Sequence, residues 1–252
     1  VFKDEAAWAD IPFPKGQTLS VGIESPADFR ALDVELVANG ARFRLVGGDE
    51  EAPVTLPLLG RFNIENALTA AGLAWIGGLS IGEIAEGLSM APQVKGRLEV
   101  VVSEPVTVLI DFAHTPDALD RVLSTLRPLV RGRLLVLFGA GGDRDRGKRP
   151  RMGEVVARTA DLAFVTSDNP RTEDPDLIID DVVAGMGSAP FRRITDRKQA
   201  IFRAIAEARP GDVVVLAGKG HESYQVLGRE KLPFDEPALV REAMGGGEAV
   251  PA

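Results

Sequence analysis

Residues 134–151, LLVLFGAGGDRDRGKRPR, decide the fold of this chain. They open with an apolar run, Leu134–Phe138, that has the length and composition of a buried strand. A glycine-rich segment, a run of charged side chains and then Pro150 follow, and proline suits the first turn of a helix because it has no N–H to leave unpaired. A buried strand that runs through such a loop into a helix is typical of an open α/β sheet, and ligands bind at the carboxyl ends of its strands.

Composition narrows the class of protein. The 252 residues can bury a sizeable core in one large or two modest domains. The formal net charge of −8 disfavours a nucleic-acid-binding surface, and no apolar run approaches the roughly 20 residues of a membrane span. The absence of cysteine excludes disulfides and thiol catalysis and argues against a zinc site. We therefore expect a cytoplasmic protein that binds neither nucleic acid nor membrane.

Beyond residue 96 the chain alternates between strand and helix, which predicts a parallel sheet with right-handed crossovers. The predicted strands span residues 106–110, 134–138, 162–165, 191–194 and 212–217. The predicted helices between them end near residues 129, 160, 186 and 208. The fold class is therefore α/β, with a Rossmann-like domain at residues 96–252.

Residues 1–95 form a different, β-rich and then helical domain. Predicted strands span residues 18–23, 33–37, 41–46 and 54–58, and Asn39-Gly40 is a strong hairpin signal between two of them. Small apolar residues at helical spacing predict a helix over residues 61–75. Ser80 followed by Glu83 predicts a capping box for a second helix over residues 81–88. Residues 92–96 resemble a linker, which sets the domain boundary at 95/96.

Four loops at predicted strand ends carry unusual chemistry, and in a parallel sheet such loops share one edge. They are residues 111–114, 139–148, 168–171 and 218–222. The arginines Arg144, Arg149 and Arg171 offer forked donors for carboxylate or phosphate, while Asp168 and Glu222 offer acceptors for an ammonium group. A pocket with both signs of charge fits an amino acid. The alternative is a network of structural salt bridges.

Other patterns are less specific. Asp111 and His114 fit a catalytic pair, metal ligands or ordinary hydrogen bonding at a strand end, and spacing alone does not choose. Residues 218–220, Gly-Lys-Gly, would bring backbone N–H groups close to an anion. The P-loop pattern G-x-x-x-x-G-K-[ST] is absent, and the dinucleotide fingerprint that starts at Gly139 fails at Arg144, which disfavours an NAD-dependent oxidoreductase.

The motifs GRFNIENALTA, GRLEV, DFAHTPDAL, FGAGGDRDRGKRPRMG, DNPRTEDP and AGKGHESYQ occur in this order and spacing. Together they resemble the Mur ligases, and more narrowly those that add the third amino acid to UDP-N-acetylmuramoyl-L-alanyl-D-glutamate in peptidoglycan synthesis. The resemblance implies that ATP converts the D-glutamate side-chain carboxylate to an acyl phosphate, which the amine of a diamino acid then attacks. It implies ATP and Mg²⁺ as cofactors, and catalysis by positioning and electrostatic stabilisation.

The resemblance also implies which residues bind the diamino acid and which approach ATP. The motif that recognises diaminopimelate falls on residues 168–171, which are Asp168, Asn169, Pro170 and Arg171. Arg144 corresponds to the arginine that holds the amino acid's carboxylate, and Gly218 and Glu222 correspond to the positions that complete that pocket. Arg171 would hold the distal carboxylate that distinguishes meso-diaminopimelate from lysine. Asn66, Arg97 and Asp111 correspond to residues that approach ATP, and His114 is the one candidate catalytic residue.

By the same resemblance, the chain comprises the rear of a central ATPase domain and a whole C-terminal domain. The domain for the uridine nucleotide, the P-loop and the carboxylates that hold Mg²⁺ would lie elsewhere, so no metal ligand is expected here. We therefore expect a fragment or one half of a split ligase, partnered by a missing N-terminal half. Two alternatives stay open: a non-catalytic module that binds a diamino acid, and a ligase that adds lysine or ornithine.

Overall fold

The computed structural model describes residue 4, residues 18–37 and residues 39–245 of the chain. They form two compact units that divide between Gln93 and Val94. The boundary predicted from the linker composition lies two residues further along. The predicted α/β class with a parallel sheet is confirmed.

The described residues of the first unit form a four-stranded sheet and two helices. Its strands lie side by side in chain order, with β1 and β2 parallel and the other pairs antiparallel. The predicted hairpin is confirmed, since Val37 pairs with Gly40. The elements are β1 (Val21–Gly22), β2 (Phe29–Val37), β3 (Gly40–Gly47), β4 (Glu50–Leu56), α1 (Arg61–Ile76) and α2 (Ile81–Ser89).

Three predicted strand limits in this unit are wrong. The first strand is only two residues long, whereas β2 and β4 each begin four residues before the predicted start. In β2, Asp33 has a φ of 56° beside a bulge, which interrupts the alternation of buried and exposed residues. In β4, Glu50 and Pro53 obscure the pattern, but β4 is an edge strand, where a proline leaves no ladder bond unmade.

The helices of the first unit follow the predicted pattern. Helix α1 buries Ile64, Leu68 and Ala71 against the sheet, and it ends at Gly77. Helix α2 begins with the predicted capping box. The backbone N–H of Glu83 donates to Ser80 Oγ at 3.3 Å, and the Ser80 N–H donates to Glu83 Oε2 at 2.9 Å.

The second unit is built on a six-stranded sheet in the order β5-β6-β10-β7-β8-β9. All strands are parallel except β5, which lies antiparallel at one edge. The last parallel strand in the chain, β10, lies between the first two, β6 and β7. The strands are β5 (Glu99–Val102), β6 (Thr107–Asp111), β7 (Leu134–Phe138), β8 (Leu162–Val165), β9 (Phe191–Arg193) and β10 (Val213–Ala217).

Up to Gly245, where the described part of the chain ends, five α-helices and a separate hairpin complete the second unit. The helices are α3 (Pro116–Leu126), α4 (Lys148–Thr159), α5 (Pro175–Val183), α6 (Arg197–Glu207) and α7 (Glu236–Ala243), and the hairpin strands are β11 (Tyr224–Leu227) and β12 (Glu230–Pro233). The sequence analysis did not predict β5, the hairpin or α7. It also extended α3 too far, because Pro128 lies in a 3₁₀ turn that follows the helix.

Candidate functional site

The carboxyl ends of β6, β7, β8 and β10 lie at one edge of the sheet, and backbone hydrogen bonds join their loops. The Gly218 N–H donates to Asp111 O at 3.0 Å, which ties β10 to β6. The Gly142 N–H donates to Asn169 O at 2.9 Å, which ties the loop after β7 to the loop after β8. The four loops that carry the predicted site residues therefore do converge.

A buried polar cluster forms where the loops after β8 and β10 meet. The ammonium of Lys219 donates to Asn169 Oδ1 at 3.0 Å and to Tyr224 O at 2.9 Å. It also lies 3.3 Å from Asp168 Oδ1 and 3.8 Å from Glu222 Oε2, as ion pairs. Asn169 Nδ2 in turn donates to Glu222 Oε2 at 3.0 Å. Three predicted pocket residues, Asp168, Asn169 and Glu222, thus share one lysine.

In this cluster one ammonium faces two carboxylates, and burial strongly affects the ammonium. The Lys219 side chain is fully buried, and this burial lowers its pKa, while the Asp168 carboxylate opposes the effect. Gly218, another predicted pocket residue, has a φ of 117° and faces the Asp168 carboxylate, 3.8 Å from the position that a Cβ atom would take. A side chain at position 218 would therefore be strained by the backbone conformation, although its Cβ atom would be in ordinary van der Waals contact with that carboxylate.

Arg171 is half-buried beside the same cluster, with a left-handed backbone at φ 54°. Its Nη1 donates to Gly142 O at 2.7 Å. Its backbone is held by β11 and the following turn, since the Arg171 N–H donates to Val226 O at 3.1 Å and the Gly228 N–H donates to Arg171 O at 2.7 Å. These two bonds hold a conformation that a residue with a side chain rarely adopts.

Arg144 lies on the exposed part of the loop after β7, where its Nη1 donates to Asp143 O at 3.3 Å. A Cβ atom at Gly141 would lie 3.0 Å from Arg171 Nη1 and 3.9 Å from Arg144 Cγ, so the two arginines border the same glycine. Pro170 borders this loop as well, because a Cβ atom at Gly142 would lie 1.8 Å from its carbonyl oxygen. Glycine is required there for the two loops to pack.

The prediction that Arg149 offers donors to a ligand is wrong. Its side chain is buried, and its terminal nitrogens donate to Glu173 at 2.8 and 3.1 Å and to Asp181 at 2.9 Å. The pairing with Arg149 lowers the pKa of Glu173 from 4.5 to about 2, helped by the Asp143 N–H. For Arg149, the structural salt-bridge alternative is the correct one.

A second group of predicted residues surrounds the Phe112 ring after β6. The Arg97 guanidinium lies 5.1 Å from the ring centroid, and the rings of His114 and His221 lie 4.7 and 5.2 Å from it. His114 Nδ1 lies 2.8 Å from Phe112 O. These cationic and aromatic groups form a shelf suited to an anion or a flat ring.

Asp111, at the end of β6, is buried and accepts hydrogen bonds from the N–H groups of Leu98 at 2.8 Å and Ala113 at 2.7 Å. Burial raises its pKa, although these two bonds and Arg97 oppose the rise. Both carboxylate oxygens therefore hold neighbouring loops in place. Asn66 belongs to the first unit, where it is exposed on α1 and donates from Nδ2 to Asn63 Oδ1 at 3.2 Å.

Within the part of the chain that the structure describes, no three histidine or acidic side chains converge in a way that would hold a metal ion. In the same residues, no helix is long and apolar enough to cross a membrane.

Two features of this cluster were not predicted from the sequence: that Lys219 lies buried at its centre, and that the hairpin β11–β12 packs against it. The sequence analysis read Gly218-Lys219-Gly220 as a possible anion cradle, but the Gly218 N–H is already bonded to Asp111 O. A usable signal was the Gly228-Arg229 pair between two short runs, since glycine at the first position of a two-residue loop is typical of a hairpin. That hairpin brings Gln225 to Asp168 O at 2.7 Å and so completes the cluster.

Comparison with known families identifies the class of protein. Residues 96–220 match the model of the Mur ligase glutamate ligase domain, and residues 3–74 match the model of the Mur ligase middle domain. The two matches together cover most of the chain, in the order expected from the motifs. The chain belongs to the Mur ligases.

More particularly, it is similar to enzymes named UDP-N-acetylmuramoyl-L-alanyl-D-glutamate–2,6-diaminopimelate ligase. It is 47% identical to the one from Nostoc sp. over 225 residues, which are 88% of this chain and 45% of that protein. It is 44% identical to the one from Bacillus velezensis, over 90% of this chain and 46% of that protein. The chain thus spans about half the length of the curated relatives it matches.

Solved structures of Mur ligases and of a related synthase have a similar fold. A structure of a ligase with the same name superposes with a TM-score of 0.71 at 38% identity, over 90% of this chain and 47% of that chain. The folylpolyglutamate synthase of Mycobacterium tuberculosis superposes with a TM-score of 0.62 at 24% identity, over 79% of this chain and 46% of that chain, which shows a shared fold.

Proposed function

We propose that this chain is part of an ATP-dependent ligase that joins meso-diaminopimelate to UDP-N-acetylmuramoyl-L-alanyl-D-glutamate in peptidoglycan synthesis. The observation that carries the proposal is that the Arg171 guanidinium and the Asp168 and Glu222 carboxylates lie at the same edge of the sheet, on loops that are hydrogen-bonded to one another. This edge offers both signs of charge within one hydrogen-bonded cluster. The similarity to ligases of that name supports the choice of substrate.

In this proposal, the pocket binds both charged groups at the distal end of diaminopimelate, its carboxylate and its ammonium. Arg171 and Arg144 border one glycine and bind a carboxylate, for which forked guanidinium donors are suited. Glu222 and Asp168 accept from the ammonium. Asn169, Pro170 and Gly218 shape the pocket between them. Lysine lacks the distal carboxylate, so the arginines would discriminate against it.

We further propose that the shelf around Phe112 is on the ATP side of the reaction. The Arg97 guanidinium would attract phosphate oxygens, and Asp111 would hold the shelf in place through its bonds to Leu98 and Ala113. His114 borders this shelf as the candidate catalytic residue. On α1 in the first unit, Asn66 is the proposed contact to adenine.

The proposed reaction has two steps, phosphoryl transfer and attack by an amine. The γ-phosphoryl group of ATP is transferred to the D-glutamate side-chain carboxylate, which leaves ADP and an acyl phosphate. The amine of diaminopimelate attacks the acyl carbon, loses a proton, and displaces inorganic phosphate to leave an amide. This chain's part is to hold the amine and the acyl carbon at reacting distance, which converts binding energy into rate.

The ion Mg²⁺ normally accompanies ATP in phosphoryl transfer and offsets the charge of its phosphates. The acidic side chains that the structure describes do not converge as a metal site. Because ATP and a uridine-nucleotide substrate are metabolites of the cytoplasm, we place the reaction there.

A second candidate is a non-catalytic module that captures a diamino acid. One observation favours it: the 252 residues contain no G-x-x-x-x-G-K-[ST] motif for ATP phosphates, while the amino-acid pocket residues are present. A ligase specific for lysine or ornithine is a third candidate, because these share the ammonium that Glu222 would bind.

A product assay by mass spectrometry separates these candidates. The purified chain is mixed with UDP-N-acetylmuramoyl-L-alanyl-D-glutamate, ATP and Mg²⁺, and offered diaminopimelate, lysine or ornithine in parallel, while calorimetry measures the binding of each amino acid. Because the chain has no P-loop motif, the expected result is preferential binding of diaminopimelate without product, and product only after the N-terminal half of the Nostoc relative is added. Binding that stays without product even then supports the module. Preferential binding of lysine or ornithine changes the substrate, and no binding of any of the three contradicts the proposed pocket.

A further inference from the structure

Lys219 is in an unusual position for a lysine. Its side chain is fully buried at the carboxyl end of β10, between Gly218 and Gly220, which both have positive φ values. A Cβ atom at Gly220 would lie 2.6 Å from the Phe112 Cβ atom, so the backbone there is closely packed. The Lys219 side chain is therefore an interior group on a closely packed stretch of backbone.

The neighbours of Lys219 fix the orientation of a side-chain amide. Asn169 Oδ1 faces two groups that can only donate, namely Lys219 Nζ at 3.0 Å and the Val226 N–H at 2.9 Å. If the amide rotated by 180°, its NH₂ group would face both donors and its oxygen would face Glu222 Oε2, so the hydrogen bonds to Lys219, Val226 and Glu222 would all be lost. The oxygen must therefore point to Lys219, and the nitrogen must point to Glu222 Oε2.

We propose that Lys219 is a positioning residue for the amino-acid pocket: together with β11 it fixes the Asn169 amide, and through that amide it orients the Glu222 carboxylate towards the ligand ammonium. This inference deepens the proposed function and rests on it for the identity of the ligand. The orientation of the amide itself does not depend on any ligand.

A lysine is suited to this task in a way that other residues are not. Its compact ammonium has three donors, and here they face Asn169 Oδ1, Tyr224 O and the Asp168 carboxylate. Methionine has a similar length but no donor. Arginine is larger and planar, and the fully buried site leaves no room for it without moving the loop. Since Lys219 also offsets the charges of Asp168 and Glu222, it allows two acidic groups to lie close together.

Nuclear magnetic resonance tests the inference without a ligand. In the unmodified chain, the two side-chain amide protons of Asn169, assigned by their loss in Asn169→Asp, should be well separated in chemical shift and slow to exchange with solvent. In Lys219→Met they should move towards the values of an exposed asparagine such as Asn39. Protons of the unmodified chain that already resemble a free amide would overturn the proposal, even if the variant fails to fold.

Calorimetry with diaminopimelate then tests the consequence for binding. Lys219→Met should weaken binding at least tenfold, while Lys198→Met, which removes an exposed lysine that pairs with Glu242, should leave it within twofold. A folded Lys219→Met chain that binds as the unmodified chain does would overturn the positioning role. An unmodified chain that binds no diaminopimelate but shows the slow amide protons would contradict the proposed ligand and leave the fixed amide supported.

Discussion

The guanidinium of Arg171 donates to the carbonyl oxygen of Gly142 at 2.7 Å, and this bond joins the loops that follow two neighbouring strands, β8 and β7. The same loops are joined in the opposite direction by the Gly142 N–H, which donates to Asn169 O. Arg171 is therefore positioned before any ligand arrives. A preorganised arginine avoids part of the entropy cost of binding a carboxylate.

Arg171 provides the first prediction. Arg171→Ala should weaken diaminopimelate binding by about 1.5–3 kcal/mol, the usual worth of a charged hydrogen bond, and should change lysine binding little, because lysine has no distal carboxylate. Calorimetry with both amino acids measures the difference. Arg192→Ala, which removes an exposed arginine paired with Glu207, serves as the control. Equal losses for diaminopimelate and lysine would show that Arg171 does not read the distal carboxylate.

The contact between Gly142 and Pro170 provides the second. A Cβ atom at position 142 would lie 1.8 Å from Pro170 O, so Gly142→Ala must push the two loops apart and should cost about 1–3 kcal/mol of unfolding free energy. Gly147→Ala is the matched control, because its Cβ atom would meet only the Asp145 carboxylate, at 3.2 Å. Denaturant unfolding followed by circular dichroism compares the two. A Gly142→Ala chain as stable as Gly147→Ala would mean that the loops can separate freely.

Glu173 makes stability depend on pH. Its pKa is lowered from 4.5 to about 2 by Arg149, so its contribution is fully present above pH 4.5 and is lost as the pH falls through about 2. The unmodified chain should therefore lose unfolding free energy over this range more steeply than Glu173→Gln does. Unfolding at a series of pH values measures both slopes, with Glu154→Gln, an exposed glutamate of α4, as the control. Parallel curves for the unmodified chain and Glu173→Gln would contradict the pairing.

The ion pair between Arg197 and Glu236 is fully buried, at 2.7 Å, and Arg197 also donates to Ala217 O at the end of β10. Burial raises the pKa of Glu236 against the effect of Arg197. Arg197→Met should cost about 3–5 kcal/mol, because it leaves a buried carboxylate without a partner, and the double variant Arg197→Met/Glu236→Met should cost less.

Denaturant unfolding of the two single variants and the double variant measures that coupling. Lys198→Met, on the exposed face of the same helix, should change stability by about 0–1 kcal/mol. Costs that simply add in the double variant would show that Arg197 and Glu236 act independently.

Much of the second unit could be predicted because its strands are continuous apolar runs between clear turn signals. Strands β7 and β8 are predicted to the residue for that reason. In contrast, β5 is a short, half-buried edge strand whose partner lies in β6, and nothing local marks it. The start of β2 is hidden by Asp33, because one left-handed residue shifts the alternation on which strand prediction depends.

The candidate site also has a part that could be predicted from the sequence and a part that could not. That the loops after β6, β7, β8 and β10 converge follows from the parallel sheet, and so it was predictable. The burial of Arg149 was not, because Glu173 and Asp181, which neutralise it, come from later parts of the chain. The burial of Lys219 was not predictable either, because one of its acceptors, Tyr224 O, belongs to the hairpin strand β11, which was not predicted.

The position of β10 between β6 and β7 delays completion of the sheet while the chain is being synthesised. During synthesis β6 and β7 emerge before β10, yet they do not pair with each other, and the strand that joins them ends only at Ala217. Until then each leaves an edge open to wrong pairing. At about 5–20 residues per second, the ribosome needs several seconds more to supply the joining strand. A chain interrupted before Val213 would therefore stay open at its centre, a natural target for chaperones and proteases.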